Sequence, residues 1–381
     1  MLRKRGPLSG TRKGFRCRYS CRPMNTAEHP LAQRWKALLA AEPNLRIRDA
    51  AARLGVSEAG LLATRAGNGV TRLEGDWREL VKAAPRLGRV MALTRNESAV
   101  LERYGVFEEI AFFGPPSGGM GLVVGAEIDL RLFMEHWRIG FAVEDETGEG
   151  VRRSFQIFDA SGTAVHKIYL QPESNLDTWR ELVEQFRAED QSTAQGVTPR
   201  SPREPELPDS AVDREAYQRD YLALRDTHDF HPLTQKYGLS REQALRLAPK
   251  GYAWKVEPRS IEVVLNEASA TGLPIMIFVG NHGCLQIHTG PVKNIKWSGA
   301  EWLNVLDEGF NLHLRFRDVA SAWVVRKPVQ EPGVGFITSL ELYDAAGNTI
   351  ALLFGKRKPG GPEDPQWREL TGRLNRMEVP V

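Results

Sequence analysis

The sequence predicts an α+β fold built by internal duplication, in which a few helices precede a mainly antiparallel sheet in each half. The first sign is a repeated hairpin, because FDASGTAVHKIY at residues 158–169 matches YDAAGNTIALLF at residues 343–354. In both copies an Asp-x-x-Gly turn leads into a strand of alternating apolar residues. A helix containing Trp-Arg-Glu-Leu then follows each hairpin, with its Trp at Trp179 and Trp367.

Two further pairs of segments support the duplication. IDLRLF, which starts at Ile128, aligns with FNLHLR, which starts at Phe310, and LGVSEAGLL from Leu54 aligns with YGLSREQAL from Tyr237. The offset between matching residues stays between 182 and 188 in all four pairs. A near-constant spacing of this kind indicates two copies of one unit.

The duplication divides the chain into segments. Residues 188–212 contain four prolines, many polar groups and almost no large apolar residue, which predicts a linker. We therefore expect an N-terminal repeat over residues 24–187 and a C-terminal repeat over residues 213–381. Residues 1–23 carry eight basic residues and no acid, and they are interpreted either as an over-extended gene start or as a disordered basic arm.

The composition excludes several classes of protein. No apolar run approaches the roughly 18 residues that a membrane span needs, so we expect no membrane insertion. The formal charge of +3 becomes −5 without residues 1–23, so the basic balance of the whole chain gives no evidence for nucleic acid. Beyond the leader Cys284 is the single cysteine, which cannot form an internal disulfide and fits a reducing cytoplasm.

One feature distinguishes the two repeats. The segment before YGLSREQAL reads as an amphipathic helix with His228 and His231 at its C-terminal end, three residues apart and on one face. The matching position of the first repeat lies near Leu45, where there is no histidine. A residue that only one copy carries is a better candidate for function than for scaffold.

The chain resembles the bacterial hemin-degrading-factor family of cytoplasmic haem-utilisation proteins, the HemS, HmuS, ChuS and PhuS type, over about residues 28–380. The motifs that carry the resemblance are TRNE (94–97), DLRLF (129–133), LRDTHDF (224–230), GLSREQAL (238–245), IFVGNHGCLQIHTG (277–290), WLNVLDEGFNLHL (302–314), AWVVRKP (322–328), TSLELYD (338–344) and LLFGKR (352–357). The resemblance implies two stacked large antiparallel sheets flanked by helices, with haem b in a cleft of the C-terminal half.

The resemblance also implies roles for particular residues. His228 in LRDTHDF matches the axial iron ligand, and Arg131 in DLRLF matches a distal arginine over the other haem face. Arg241, Lys327 and Arg357 match basic groups near the haem propionates. Independently, a porphyrin needs flat apolar walls, for which the candidates are Phe133, Met276, Phe278 and Phe354.

Each of these residues has a simpler alternative interpretation. A histidine near a helix end is usually a cap favoured by the helix dipole, and His231 is either a secondary ligand or a surface group. Arg131 could be an ordinary strand arginine, and Arg241 a first-turn residue after the N-cap Ser240. Lys327 and Arg357 could be solvated charges at strand ends.

Two departures from the family pattern matter. Phe354 stands where many relatives carry Tyr, which removes a phenol hydrogen bond beside the haem. Leu101 stands where some relatives carry a second histidine, so we expect no haem site in the first half.

The sequence favours a cytoplasmic protein that accepts imported haem, with the inner-membrane haem importer and a haem oxygenase as candidate partners, and passes the haem to that oxygenase or to storage. The alternative is a haem-degrading enzyme, in which Arg131 would act on the distal side. A haem-linked DNA-binding regulator is the least favoured hypothesis. It would rest on residues 47–67, which resemble a helix-turn-helix but offer base edges little beyond Arg65.

Overall fold

The computed structural model describes residues 29–115, 118–357 and 360–377, so the basic leader and its cysteines lie outside the described residues. The elements of the first half are α1 (Pro30–Ala41), α2 (Ile47–Leu54), α3 (Glu58–Ala63), β1 (Val70–Leu73), α4 (Trp77–Ala83), β2 (Val90–Arg95), β3 (Ala99–Gly105), β4 (Ile110–Phe113), β5 (Met120–Val124), β6 (Asp129–Phe133), β7 (Ile139–Thr147), β8 (Gly150–Phe158), β9 (Ala164–Leu170) and α5 (Leu176–Gln185).

The second half repeats these types of element in the same order. They are α6 (Arg214–Leu222), α7 (Phe230–Lys236), α8 (Arg241–Arg246), β10 (Ala253–Val256), α9 (Ser260–Thr271), β11 (Ile275–Gly280), β12 (Cys284–Gly290), β13 (Ile295–Ser298), β14 (Trp302–Asp307), β15 (Phe310–Arg315), β16 (Ser321–Pro328), β17 (Phe336–Tyr343), β18 (Thr349–Gly355) and α10 (Pro365–Gly372). The internal duplication that the sequence predicts is confirmed.

Matching residues form matching turns in the two halves. Ser57 caps α3 by accepting the backbone N–H of Gly60, and Ser240 caps α8 by accepting that of Gln243. Before the first of these caps, the chain leaves α2 through Gly55, whose φ of 70° is a conformation that favours glycine. The repeated Gly-apolar-Ser sequence therefore encodes a repeated helix start.

The strands form two nine-stranded antiparallel sheets. Sheet 1 has the order β1-β7-β8-β9-β2-β3-β15-β14-β13, and sheet 2 has the order β10-β16-β17-β18-β11-β12-β6-β5-β4. The expectation of one sheet in each half is therefore wrong in one respect. Each half contributes six strands to one sheet and three to the other, because β6 pairs with β12 and β15 pairs with β3.

The inner faces of the two sheets pack together, with β2 and β3 lying against β11 and β12. One apolar cluster joins the two sheets. It includes Leu101 and Leu303 of sheet 1 and Ile277 and Leu353 of sheet 2, and these four side chains are completely buried. Burying a side chain of this size contributes about 1.5–3 kcal/mol. Leu101 is thus part of the core between the sheets.

Two asparagines join the sheets reciprocally. Asn96, in the turn between β2 and β3, donates its amide to the carbonyls of Gly280 (3.2 Å) and Ile350 (2.8 Å) in sheet 2. Asn281, in the related turn between β11 and β12, donates to the carbonyls of Arg95 (2.9 Å) and Val165 (2.8 Å) in sheet 1. Each asparagine also accepts two backbone N–H groups of its own turn through Oδ1. The same side chain therefore shapes a hairpin and fastens it to the other sheet.

Helices of each half cover part of the outer face of its sheet. Tyr217, Tyr221 and Phe230 from α6 and α7 pack on Trp323 and Val325 of β16. In the described part of the chain, no helix is long and apolar enough to cross a membrane.

The segment that resembles a helix-turn-helix does form two helices, α2 and α3. Leu61, Leu62 and Ala63 of α3 are at most 2% exposed, and Glu58 at its start is buried beside Arg95 and Lys167. This arrangement fits the scaffold interpretation, because the would-be recognition helix is packed against the protein itself.

The segment predicted to be a linker, residues 188–212, contains one short 3₁₀ turn, Asp209–Ala211, among its described residues. It is attached to both halves, since Arg200 pairs with Asp159 and Arg203 donates to the carbonyl of Ala346 at 2.7 Å. The domain boundaries themselves stay a prediction.

Replacing Asn96 by Asp should test the link between the sheets. The carboxylate keeps the acceptor of the turn but loses both N–H donors, so we expect the free energy of unfolding to fall by about 2–3 kcal/mol. The control is Asn175→Asp, since Asn175 caps α5 only through its oxygen, which accepts the N–H of Thr178. Urea unfolding measures both, and equal losses in the two variants would contradict the proposed role of Asn96.

Candidate functional site

The outer face of sheet 2 carries large apolar side chains that neighbouring elements cover only in part. Met276 lies opposite Phe354 and Phe278 lies opposite Leu352 on paired strands, so these side chains project to the same side. All four are partly exposed, whereas the alternate residues of β11 are buried in the core. The rings of Phe278 and Phe354 are 5.1 Å apart in an edge-to-face arrangement.

Helices α7 and α8 stand over part of this face and leave a cleft of about 680 Å³, within the range of ~300–1,000 Å³ typical of ligand pockets. Its walls include Phe133, Phe278, Leu285, Leu352, His231, Thr234, Gln235, Leu239 and Arg241. Phe133 comes from β6 of the first half, so the cleft belongs to both halves. Of the candidate wall residues, Phe133 and Phe278 line the cleft, and Met276 and Phe354 lie on the same face of sheet 2 outside its lining.

The prediction that one helix carries both His228 and His231 is wrong. Helix α6 ends at Leu222, a 3₁₀ turn spans Thr227–Asp229, and α7 begins at Phe230. His228 therefore precedes the N-terminus of a separate helix, and His231 lies in that helix. The physical reason is a capping box, in which Asp226 and Asp229 bind the backbone N–H groups of the 3₁₀ turn and stop the preceding helix from continuing.

His228 is exposed and is held at one ring nitrogen. Its side chain is 92% exposed, and Nδ1 hydrogen-bonds the carboxylate of Asp226. Burial alone would raise the pKa of Asp226, but hydrogen bonds from the backbone and ring of His228 hold that pKa below its ordinary value. A carboxylate on Nδ1 favours the tautomer in which Nε2 carries the free lone pair. This is the arrangement that a metal-binding imidazole requires.

Arg131 lies on the cleft side of sheet 2, opposite Leu285 on β12. Its guanidinium pairs with Asp129 and donates to the carbonyl of Leu130 at 3.1 Å. The side chain is 30% exposed, so it is neither a fully solvated strand arginine nor a buried one.

A buried carboxylate organises two of the candidate cations. Glu341 of β17 is 0% exposed and accepts from Arg241 Nε (2.9 Å), Arg241 Nη2 (3.1 Å), Lys327 Nζ (2.5 Å) and Ser339 Oγ (2.8 Å), and also from the hydroxyl of Tyr343. Burial alone would raise the pKa of Glu341, but Arg241 and Lys327 hold it well below its ordinary value. Two cations facing one carboxylate leave a single positive charge in excess.

Lys327 is buried, so the alternative interpretation of a solvated charge at a strand end is wrong for this residue. It is 2% exposed, and its ammonium lies 4.9 Å from the ring centroid of Phe230 and 5.9 Å from that of Phe354. Burial lowers the pKa of Lys327 to about 8, although the attraction of Glu341 opposes the shift. Within the described ranges Glu341 is the one hydrogen-bond acceptor of Lys327 Nζ, and Lys327 itself is not among the residues that line the cleft.

The remaining cations occupy different settings. Arg241 begins α8 directly after its N-cap Ser240, as the simpler interpretation held, and it also lines the cleft. Arg357 follows β18, is partly exposed, and lies near enough to Asp226 to help lower the pKa of that carboxyl. The structure thus brings Arg357 towards the turn that carries His228.

Sequence reasoning missed Glu341 and Asp226. Glu341 stands in TSLELYD, where an alternating strand predicts a solvent-facing residue, and only the packing of α8 on β17 reveals its burial. Asp226 stands two residues before His228 in the same motif, and this short spacing could have predicted a hydrogen bond between the two side chains.

Comparison with known proteins decides the family. The family model described as "Haemin-degrading HemS.ChuX domain" matches residues 55–186 and again residues 238–374, once in each half. This chain belongs to the haemin-degrading HemS family.

Two hemin transport proteins resemble the chain over most of its length. The hemin transport protein HemS of Yersinia enterocolitica is 38% identical over 338 residues, which cover 88% of this chain and 95% of that protein. The hemin transport protein HmuS of Yersinia pestis is 37% identical over 352 residues, which cover 92% of this chain and 98% of that protein.

Solved structures agree with the fold. The crystal structure of holo-PhuS, a heme-binding protein from Pseudomonas aeruginosa, has a TM-score of 0.87 and 45% identity, covering 91% of this chain and 99% of that one. The heme degrading enzyme ChuS of Escherichia coli O157:H7 has a TM-score of 0.81 and 32% identity, covering 91% and 98%.

Replacing Glu341 by Gln should show what the buried carboxylate contributes. Two buried cations would lose their counter-charge, so we expect the free energy of unfolding to fall by about 3–5 kcal/mol near neutral pH. Because the folded-state pKa of Glu341 is lowered, the difference from wild type is full above pH 4.5 and shrinks as the pH falls below that value.

The matched control is Glu301→Gln, which removes a half-exposed pair with Arg317 and should cost less than about 1 kcal/mol. Urea unfolding at pH 7 and pH 4 measures both variants. A loss no larger for Glu341→Gln than for the control would show that the buried network is not a source of stability.

Proposed function

We propose that this protein binds one haem b in the cleft of sheet 2, accepts it after import into the cytoplasm, and passes it to a haem oxygenase or to storage. The observation that carries the proposal is a partly exposed aromatic face together with an imidazole whose Nε2 has no hydrogen-bond partner among the described residues, on a turn close enough to Arg357 at the end of β18 for that arginine to act on Asp226. HemS and HmuS, described as hemin transport proteins, and PhuS, described as a heme-binding protein, support it.

The residues present fit the porphyrin. Phe133, Met276, Phe278 and Phe354 offer flat, polarisable surface to its faces. Arg241 and Lys327, with one positive charge in excess over Glu341, suit a propionate carboxylate, and Arg357 supplies a further cation.

The iron would need little from the protein. No cluster of three or more His, Cys, Asp or Glu residues that could hold a metal ion exists among residues 29–115, 118–357 and 360–377. A porphyrin already supplies four nitrogen ligands to its iron, so one imidazole is enough to hold it. His228 would be this axial ligand, and Arg131 would stand over the opposite face of the haem.

A single protein–iron bond also suits transfer. The 92% exposed side chain of His228 lies on a short turn, so it can leave the iron without unfolding the sheet that holds the porphyrin. An acceptor protein then has to replace only one ligand.

Replacing His228 by Ala should weaken haemin binding by roughly tenfold or more and shift the Soret band, since the axial bond is lost while the apolar and propionate contacts remain. His136→Ala is the control, because His136 is a half-exposed histidine that does not line the cleft. Absorption titration of the purified full chain with haemin measures both. An unchanged Soret band and affinity in His228→Ala would rule out the axial assignment, and a colourless protein at equimolar haemin would rule out the proposed function.

The second candidate function is haem degradation with an external reductant and dioxygen, the iron supplying the redox chemistry. The observation that favours it is the similarity to ChuS, described as a heme degrading enzyme, together with a charged donor, Arg131, on the cleft side of sheet 2. Single-turnover spectra of the haemin complex with ascorbate and catalase separate the two functions, because product that survives catalase favours the enzyme.

Replacing Arg131 by Gln should alter the absorption spectrum and pH titration of the ferric haemin complex while leaving haemin affinity within about threefold of wild type, since a distal donor adds little to the porphyrin contacts. Arg152→Gln is the control, because Arg152 is a strand arginine of sheet 1 that pairs with Asp145. If the spectrum and titration of Arg131→Gln match those of the control, the distal role is wrong.

A further inference from the structure

A second pocket lies at the opposite edge of sheet 2, between α6, α8 and the edge strand β10, with a volume of about 550 Å³. Its lining contains the cationic residues Arg214, Arg246, Lys250, Lys255 and Arg376 and neither Asp nor Glu. Arg246 is paired with Asp209 and Glu206 outside the pocket lining. The other four have no ion-pair partner among the residues that the structure describes.

One side of the pocket is formed by a stack of alternating cations and rings. The guanidinium of Arg376 lies over the indole of Trp254 at 4.6 Å from its centroid, and that of Arg326 lies over the same ring at 4.9 Å. Arg326 also lies 4.8 Å from the ring centroid of Phe336. The stack holds two arginines close together, and burial together with the positive charge of Arg376 lowers the pKa of Arg326.

Two polar atoms of this stack are buried without a partner in the described ranges. They are Nε1 of Trp254, a residue only 8% exposed, and Nε of Arg326. A buried donor with no acceptor costs about 1–3 kcal/mol, and such groups are rare unless a ligand or water satisfies them. The lining of the pocket thus offers positive charge and no carboxylate, a composition that suits an anion.

The duplication provides an internal comparison. The related pocket of the first half, beside α1 and the loop before β1, is lined by acids and cations together, namely Glu144, Asp145, Glu146, Lys36 and Arg65. Val70 pairs with Val143 and Ala253 pairs with Val325, so Glu144 occupies the position that Arg326 occupies in the second half. The sign of the charge differs at this one position, whereas Arg72 and Arg187 of the first half occupy the positions of Lys255 and Arg376.

We propose that this basic pocket, formed by Arg214, Lys250, Trp254, Lys255 and Arg376, is a binding site for a compact oxyanion of several charges, such as a phosphate chain. Its volume is that of a small-molecule pocket rather than of an extended groove. The guanidiniums of Arg376 and Arg326 lie over the ring of Trp254 at 4.6 and 4.9 Å from its centroid, so cations already occupy ring surface on which a base would stack. The site is separate from the haem cleft and shares no lining residue with it.

Isothermal titration of the full chain with tripolyphosphate at low salt tests the proposal. Arg376→Ala should weaken binding about tenfold, since a charge-assisted hydrogen bond is lost. Trp254→Phe keeps a ring for the arginines and removes only the N–H, so it should weaken binding severalfold. The matched control is Arg187→Ala. Arg187 pairs through its backbone with Leu73 in the first half, as Arg376 pairs with Val256 in the second, and this variant should bind tripolyphosphate like wild type.

Three results would overturn the proposal. The first is the absence of saturable binding, or equal weakening by Arg376→Ala and Arg187→Ala. The second is duplex DNA binding more tightly than tripolyphosphate through the same residues, which would make the surface a nucleic-acid contact. The third is binding that needs removal of residues 378–381, because the pocket would then belong to the end of the chain itself. Haemin affinity should be unchanged in Arg376→Ala, which separates this test from that of the haem cleft.

Discussion

The exchange of three strands between the halves is the constraint on which the rest of this structure depends. Strand β6 completes sheet 2 through β12, and β15 completes sheet 1 through β3. Asn96 and Asn281 reinforce the exchange, since each shapes its own hairpin and donates to carbonyls of the opposite sheet. The halves therefore share both sheets, and the cleft on sheet 2 is built from both copies of the repeat.

The candidate haem cleft shows how charge and apolar surface are combined at such a shared site. The aromatic face comes from alternate residues of central strands, whose other residues fill the core, so the wall is as rigid as the sheet. On the same face of sheet 2, beside these rings, Glu341 holds Arg241 and Lys327 in place before any ligand arrives. A carboxylate ligand would then meet preorganised donors and pay little of the ordering entropy that free lysine and arginine side chains lose.

Much of this architecture could be predicted from the sequence, for local reasons. Repeated turn residues and alternating strands predict the duplication and the hairpins, because these depend on neighbours in the chain. The strand exchange was not predicted, since the pairing of β6 with β12 joins residues more than 150 positions apart and leaves no periodic signal. The site residues Phe133, Met276, Phe278 and Phe354 were found together, but the separate placement of His228 depends on the cap made by Asp226, and the burial of Lys327 on the counter-charge of Glu341.

The exchanged strands also bear on how such a chain could arise. A polypeptide of half this length, carrying a single repeat, would expose the unpaired edge of its six-stranded portion and would have three strands with no sheet of its own to join. Two identical copies could pair both the free edge and the three strands by exchanging those strands, which would give a symmetric dimer with two such sheets. Fusion of the two genes would then free each repeat to diverge, so that one carries an imidazole at His228 where the other has no histidine near Leu45.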